Sequence, residues 1–353
     1  METRMLTVDQ MDDLVQDLHR DGVVAFPTDT VYGLAVRIAS ERAIQKLTQA
    51  KNRPQDKPYP LLVSSLTQIE SFAQLTHRDR QLIKQWMPGS VTFVFKKNPA
   101  LTSGYFAQST TIAFRMPTDQ FIKDLLEKLQ EPLLLTSANI SGEPAALTSD
   151  EVLDSLNGKI DCVIQGKAGG GIPTTIIDAS AQDLKLIRQG ETTMTSIETK
   201  SKTIAIACDH GAYPHKEAIK ARMIELGYIV EDFGTFDGAS VDYPDTVYPA
   251  AKSVSEGKNT WGIVLCGTGI GASITANKVK GIRCALVFDK ETARITREHN
   301  DSNILALGGR LTDVKTAVEI AEIWISSPFS NEERHIRRIC KVSEIEKKEN
   351  TDE

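Results

Sequence analysis

From residue 203 onward, strand-like and helix-like segments alternate without a break. TIAIACD, YIVEDFG, WGIVLCG, RCALVFD and ILALGG read as strands. HKEAIKARMIELG, YPAAKSVSEG, ASITANKV, ETARITREHN and DVKTAVEIAEIWISS read as the helices between and after them. Such alternation dictates βαβ units, hence a parallel sheet with helices on each side. That pattern fills only the C-terminal part of a 353-residue chain. One hydrophobic core rarely serves such a length, so a second domain must precede it.

The preceding part is also α/β, with strands at GVVAFPT, PYPLLVSS, SVTFVFKK, TIAFRMP, PLLLTSAN, DCVIQG and TTIIDAS and a helix at ASERAIQKLTQAK. Between the two lies GETTMTSIETKSK (190–202), polar and without apolar period. Domains are therefore expected at 1–192 and 202–353, joined by a linker at 193–201. The closing KVSEIEKKENTDE is charged and reads as a fraying tail. No apolar run approaches the ~18 residues of a membrane span, and the acidic amphipathic N-terminus is unlike a signal peptide. Five scattered cysteines with no CxxC pair argue against a disulfide framework or a thiolate metal site, so a reducing, cytoplasmic setting is expected. Net charge is −6 and neither half is basic, which disfavours a broad nucleic-acid surface.

The most informative C-terminal segment is WGIVLCGTGIGASITANK (261–278). A strand runs through Cys266 into a glycine turn and a helix N-terminus, where backbone N–H groups favour anions and thiolates. Gly267, Gly269 and Ala272 also satisfy G-x-G-x-x-A, with Asp289 at the end of the next strand, as in a dinucleotide fingerprint. Against that reading, the turn follows the third strand of its domain rather than the first, and the domain has no room for a second nucleotide half. ACDHGA places Asp209 and His210 at the end of the first strand, DYP follows the second, and REHND carries His299 and Asn300. Arg334 and Arg338 share a face if ERHIRRICK is helical, and such a pair can clamp a phosphate. His215 and His335 read as surface or supporting groups.

CDHGA, DYPD, CGTGIGAS, ANK-x-x-GIR, REHND-x-N-x-LALGGR and RH-x-x-R, in that order, resemble type B ribose-5-phosphate isomerase over about 202–345. The resemblance implies a Rossmann-like parallel α/β sandwich that isomerises ribose 5-phosphate without a cofactor. It implies that Cys266 moves a proton between C1 and C2, assisted by Thr268. The amides of the 267–273 loop (Gly267, Gly269, Gly271, Ser273) would hold the enediolate, and His299 would open the furanose ring. Asp209, Tyr243 and Asn300 would meet the sugar, and His210, Arg310, Arg334 and Arg338 the phosphate. Family sites form between subunits, so a homodimer or tetramer is implied. Galactose-6-phosphate isomerase subunits look similar, so hexose phosphates stay open as substrates.

In the N-terminal part, PTDTVYGLA (27–35), KNRPQDKPYPLLV (51–63), AFRMP (113–117) and TSANISGEP (136–144) stand out. They offer Thr28 and Thr30 after a strand, the cations Lys51, Arg53 and Lys57, a strand-borne Arg115, and Ser137 with Asn139 in a turn. Lys51 and Arg53 would point the same way if that segment is extended. With no carboxylate pair or Ser-His-Asp set, the pattern suits a nucleotide-positioning site better than a hydrolase.

The K-x-R and S-x-N pairs, PT-x-T-x-YGL, GIPTTIID (171–178) and LIRQG (186–190) together resemble the YrdC-like family of threonylcarbamoyl-AMP synthases over about 8–192. This implies a twisted open α/β sheet that condenses L-threonine, bicarbonate and ATP, with Mg²⁺, to threonylcarbamoyl-AMP for tRNA modification by partner proteins. Lys51, Arg53, Asn139 and Arg188 would face the nucleotide, and Thr28, Thr30, Arg115, Ser137 and Thr174 the threonine. MPGSVT (87–92) and PTT depart mildly from the family pattern. A bifunctional enzyme is therefore expected. The alternatives are an isomerase carrying an inactive RNA- or nucleotide-binding module, and a C-terminal regulatory nucleotide-binding domain.

Overall fold

A computed structural model describes residues 2–53, 58–181 and 183–349, so Lys57 lies outside the described residues. The chain divides into two compact units, Met1–Leu75 with Trp86–Met194, and Thr76–Gln85 with Thr195–Glu353.

The first unit is built on one ten-stranded mixed sheet. Its strands are β1 (Arg4–Leu6), β2 (Val24–Phe26), β3 (Gly33–Arg37), β4 (Leu61–Leu62), β5 (Val91–Lys96), β6 (Thr111–Arg115), β7 (Leu133–Ser137), β8 (Cys162–Ile164), β9 (Thr175–Asp178) and β10 (Lys185–Arg188). Their order is β1-β8-β2-β3-β7-β4-β6-β5-β9-β10. One core joins the apolar faces of helices Met11–His19 and Gln120–Leu129 to β2, β7 and β8, through Leu14, Leu18, Ile122, Leu125, Leu126, Val24, Phe26, Leu133 and Ile164.

The second unit holds five strands, β11 (Thr203–Cys208), β12 (Ile229–Asp232), β13 (Trp261–Cys266), β14 (Cys284–Leu286) and β15 (Ile304–Gly308). All pair in parallel in the order β12-β11-β13-β15-β14, as the alternation requires. Every residue of β13 and β15 is buried, which explains their unbroken apolar runs. Ile206, Ile263, Leu265, Leu305 and Leu307 pack one face against Ile219, Met223, Ile320 and Trp324. Ala205, Ala207, Val264 and Ala306 form the other face, where small residues admit helices Tyr243–Ser255 and Ile270–Ala276. Side-chain caps start the outer helices: Asp289 Oδ1 accepts from Thr292 N at 2.8 Å, and Asp313 Oδ1 from Thr316 N at 3.0 Å.

Three details differ from the sequence reading. The polar stretch read as a linker contains a helix, Met194–Ser201. The tail read as fraying is helical as far as Glu349, the end of the 17-residue helix Glu333–Glu349, and its last four residues lie outside the described residues. Residues Thr76–Gln85, part of helix His77–Trp86, group with the C-terminal unit. Their contacts explain why. The carbonyls at the end of helix Tyr243–Ser255 and in the turn after it have lone pairs to spare for side-chain donors. Gln81 Nε2 donates to Val254 O at 3.0 Å, Lys84 Nζ to Ser255 O at 2.7 Å, and Gln85 Nε2 to Gly257 O at 2.9 Å. His77 pairs with Thr260 O at 2.9 Å and packs its ring 5.4 Å from that of Trp261. Polar side chains thus do the docking, and apolar periodicity gave no sign of it.

Candidate active sites

In the second unit the order β12-β11-β13 reverses direction between β11 and β13, and open parallel sheets bind ligands at the strand C-termini of such a reversal. β11 ends at Cys208 and β13 at Cys266, so Asp209 and Cys266 flank that crevice. Asp209 Oδ1 accepts from Gly211 N at 2.8 Å and caps the turn His210–Ala212. Cys266, 4% exposed, is followed by Gly267, Thr268 and Gly269. Gly269 caps the helix Ile270–Ala276 with φ +78°, a left-handed conformation that favours glycine. β15 ends beside this loop: Gly309 N donates to Cys266 O at 3.0 Å, and Arg310 N to Gly267 O at 2.9 Å. The Arg310 guanidinium lies about 3.5 Å from where a Gly267 side chain would begin. A Cβ on Gly271 would fall 2.5 Å from the ring of Tyr243, so that ring lies directly on the helix start. Ser273 Oγ donates to Ile270 O at 2.9 Å inside the same helix, and His210 Nδ1 accepts from Val241 N at 3.4 Å. One thiol, a turn of backbone amides, Asp209, His210, Tyr243 and Arg310 therefore share one end of the sheet.

The remaining expected residues are elsewhere. His299 and Asn300 end the helix Lys290–Asn300, which returns toward the start of β15. Ile304 pairs in register with Gly262, whereas Gly308 pairs with Cys266. Four residues of strand, roughly 13 Å, separate these two rows. The sequence reading placed His299 and Asn300 at the end of the fourth βα unit, and this register adds that within one copy that end lies at the opposite edge of the sheet from Cys266. The ring of His299 stacks on that of His335, centroids 4.1 Å apart, and His335 Nδ1 meets His299 O at 3.2 Å. Helix Glu333–Glu349 carries Arg334 and Arg338 on the exposed side, with Arg334 Nε bonded to Glu332 at 2.7 Å. His215 and His335, read from sequence as surface or supporting groups, are both buried, which leaves the supporting reading.

In the first unit the helix Glu41–Lys51 ends where Asn52 turns left-handed, at φ 50°. Lys51 and Arg53 are therefore not in an extended segment, and they diverge. Lys51 is buried and its Nζ donates to Ser137 O at 2.5 Å, Asn139 O at 2.7 Å and Asn139 Oδ1 at 3.4 Å. Burial, then the charge of Arg53, lowers its pKa to about 8. Arg53 lies over the ring of Tyr59, 4.6 Å from its centroid, and donates to Pro58 O at 3.2 Å. Ser137 Oγ donates to Asn139 Oδ1 at 2.6 Å, closing the S-x-N turn. A second cluster surrounds Arg115 at the end of β6. Its Nη2 donates to Thr28 Oγ1 at 3.2 Å, to Thr30 Oγ1 at 3.0 Å and to the Asp29 carboxylate. Arg188 donates to Thr174 O at 2.8 Å, and Thr174 Oγ1 meets Thr92 Oγ1 at 2.8 Å. Burial, then the charge of Arg115, lowers the Arg188 pKa. Among the described residues no group of three His, Cys, Asp or Glu side chains is placed to hold a metal ion. The donors here are cations, hydroxyls and an Asp29 already bound to Arg115, so they do not fit a Mg²⁺ cage.

Residues 204–342 match the family model described as ribose/galactose isomerase. Ribose-5-phosphate isomerase B of Escherichia coli (strain K12) is 37% identical over 149 residues, 42% of this chain and 99% of that protein. The chain belongs to the ribose/galactose isomerase family. YwlF of Bacillus subtilis (strain 168), named as a sugar phosphate isomerase, is 51% identical over 146 residues, 41% of this chain and 97% of that protein. Residues 16–190 match the Sua5/YciO/YrdC model, described as telomere recombination. Threonylcarbamoyl-AMP synthase of Pyrococcus abyssi (strain GE5 / Orsay) is 34% identical over 182 residues, 51% of this chain and 54% of that protein. The chain thus carries a segment similar to the Sua5/YciO/YrdC model ahead of its isomerase domain, and spans about half the length of that synthase relative. Among the described residues no helix is long and apolar enough to cross a membrane.

Two side chains escaped the sequence reading. Asp29 was passed over inside PTDT, although an acidic residue between two threonines near a strand-borne arginine is a legible pairing signal. His335 was read only as a surface or supporting group, and its ring packs against that of His299 with the centroids 4.1 Å apart.

Proposed function

We propose that the isomerase domain interconverts ribose 5-phosphate and ribulose 5-phosphate, with each site completed by a second copy of the chain. The observation that carries this reading is the division of the expected residues between two edges of one sheet. Cys266, the 267–273 amides, Asp209, His210, Tyr243 and Arg310 stand at one edge, and His299, Asn300, Arg334 and Arg338 at the other. A two-fold dimer brings the second edge of one copy to the first edge of its partner. In such a site Cys266 takes the proton from C2 of the open-chain aldose. Thr268 and the loop amides stabilise the charge that develops on the enediolate oxygens. The proton returns at C1, giving the ketose with no net redox change. His299 protonates the ring oxygen as the furanose opens, and the arginines hold the phosphate.

For the Sua5/YciO/YrdC domain the reading is threonylcarbamoyl-AMP synthesis from L-threonine, bicarbonate and ATP, feeding tRNA modification by partner proteins. The Arg115 cluster with Thr28, Thr30 and Thr174 supports an amino-acid subsite. Ser137 joins the amino-acid subsite, and Asn139, with Lys51, Arg53 and Arg188, supports a nucleotide subsite. Mg²⁺ would come with the ATP phosphates, and no step is assigned to a protein-held ion. The direct test assays the purified full chain on ribose, allose and galactose phosphates, and separately on ATP with threonine and bicarbonate. Ribose 5-phosphate turnover that disappears in Cys266→Ala supports the isomerase reading, and turnover unchanged in that variant removes Cys266 as base. Pyrophosphate release that requires threonine supports the synthase reading, and its absence leaves the domain a binding module.

A further inference from the structure

Asp29 belongs to none of the residue sets above, yet the turn that carries it is among the most constrained in the first unit. Gly169 N donates to Thr28 O at 2.9 Å, Gly170 N to Asp29 O at 3.4 Å and Gly171 N to Thr30 O at 2.9 Å. A Cβ on Gly169 would lie 2.1 Å from Asp29 O, so only glycine lets the two loops meet this closely. Thr28 Oγ1 ties the turn internally, donating to Val31 O at 2.7 Å and accepting from Thr30 N at 3.1 Å. The fixed backbone aims the Asp29 carboxylate at Arg115 Nη2, and the second carboxylate oxygen accepts from Thr118 Oγ1 at 3.1 Å.

Arg115 is 7% exposed, and burial, opposed by Asp29, lowers its pKa. One arm of its planar fork is saturated by Asp29, Thr28 and Thr30. Its Nε is buried with no hydrogen-bond partner among the described residues. A buried, unpartnered guanidinium N–H is costly in a folded protein unless a ligand satisfies it. Carboxylates and phosphates both match an arginine fork, and of the two the hydroxyls of Thr28 and Thr30 around this one suit the amino-acid end of the reaction. Nε shares its edge of the guanidinium with Nη2, so the open arm is Nη1, which bonds nothing among the described residues; Arg115 is thus held by one edge of its fork and offers the other.

We propose that Asp29 is a positioning residue that orients Arg115, so that the open side of its fork receives the carboxylate of the amino-acid substrate. The inference rests on the synthase reading given above. Asp29 itself need not touch the substrate; it acts by locking the rotamer and charge of the arginine that does. Its loss lets the guanidinium turn within the pocket, and misplacement of a binding group by about 1 Å can cost on the order of 100-fold.

The experiment is steady-state kinetics of threonine-dependent pyrophosphate release by the full chain, wild type against Asp29→Asn, which keeps the shape and removes the charge. The KM for L-threonine is expected to rise about 10- to 100-fold while the KM for ATP stays within about two-fold. Thr118→Val, which removes only the outer hydroxyl, is expected to give a smaller rise of the same kind and serves if Asp29→Asn does not fold. Equal rises in both KM values, or a loss of folded protein with unchanged kinetics in the remainder, would mean a merely structural role and overturn the inference while the synthase reading stands. Wild-type protein with no threonine-dependent turnover would remove the synthase reading, and the inference with it.

Discussion

Gly269→Ala tests whether the amide turn after Cys266 is as tightly placed as its contacts imply. Two costs apply. The residue sits at φ +78°, where an L side chain is disfavoured by roughly 1–2 kcal/mol. The new Cβ would also meet the Leu307 carbonyl carbon at 2.8 Å and its oxygen at 3.0 Å, backbone of the adjacent strand β15 that cannot swing aside. Relieving that overlap adds about 1–3 kcal/mol. Moving from 2.8 Å to the 3.4 Å of ordinary contact displaces the turn by about 0.6 Å, enough for an order of magnitude in kcat if these amides hold the enediolate. Gly281→Ala supplies the control, because φ there is +79° and nothing lies within 4 Å of its Cβ. It should show the backbone cost alone. Ribulose 5-phosphate formation and thermal melts of the three proteins are the assay. Gly269→Ala should lose about 10-fold or more in kcat and melt on the order of 10 °C lower, with Gly281→Ala retaining wild-type kcat. Wild-type kcat in Gly269→Ala would refute the placement of the oxyanion cradle in this turn.

Two further predictions concern charge. The Lys51 ammonium serves three acceptors, and burial and Arg53 lower its pKa to about 8. As pH rises through that value the neutral amine loses one donor, so synthase activity should fall above pH about 8, a limb that Lys51→Arg should lack. The sign for stability is opposite: between about 8 and the ordinary lysine value the unfolded chain holds a proton the folded chain has released, so this group's contribution to stability rises with pH. A flat wild-type activity profile from pH 7 to 9 would contradict the assignment. In the second unit, Asp301 is buried and bonded to Arg297 at 2.9 Å and Arg283 at 3.2 Å. Burial alone would raise its pKa, but Arg297 first, then Arg283, hold it below the usual carboxylate range. Its contribution is therefore present above pH about 4 and lost as pH falls through the depressed value. Asp301→Ala leaves the buried Arg297 and the half-buried Arg283 uncompensated and should cost about 3–5 kcal/mol in urea denaturation; a loss below about 1 kcal/mol would contradict the buried-network account.

The parallel sheet, its strand-helix order and the glycine turn after Cys266 were legible because each is a local pattern with a steep physical penalty for alternatives. What escaped was set by long-range pairing. The register of Ile304 on Gly262 and Gly308 on Cys266, which separates His299 from Cys266, cannot be read from the REHND motif alone. Helix His77–Trp86 joins the second unit through Gln81, Lys84 and Gln85 on carbonyls more than 170 residues away, and those side chains have the composition of a solvated face. Lys51 turned inward because Asn52 takes a left-handed φ, whereas an extended K-x-R would have sent both cations the same way.

The central claim, that each isomerase site draws on two copies of the chain, is tested most directly by mixing inactive variants. Cys266→Ala disables one sheet edge and His299→Ala the other. Each homodimer alone is expected to be inactive. Co-refolded in equal amounts, half the dimers carry both changes, one on each chain, and each such dimer retains one intact site. Roughly a quarter of wild-type activity should return by statistical mixing. Activity no greater than the sum of the separate variants would contradict the account, because it would mean that Cys266 and His299 serve the same site from within one chain.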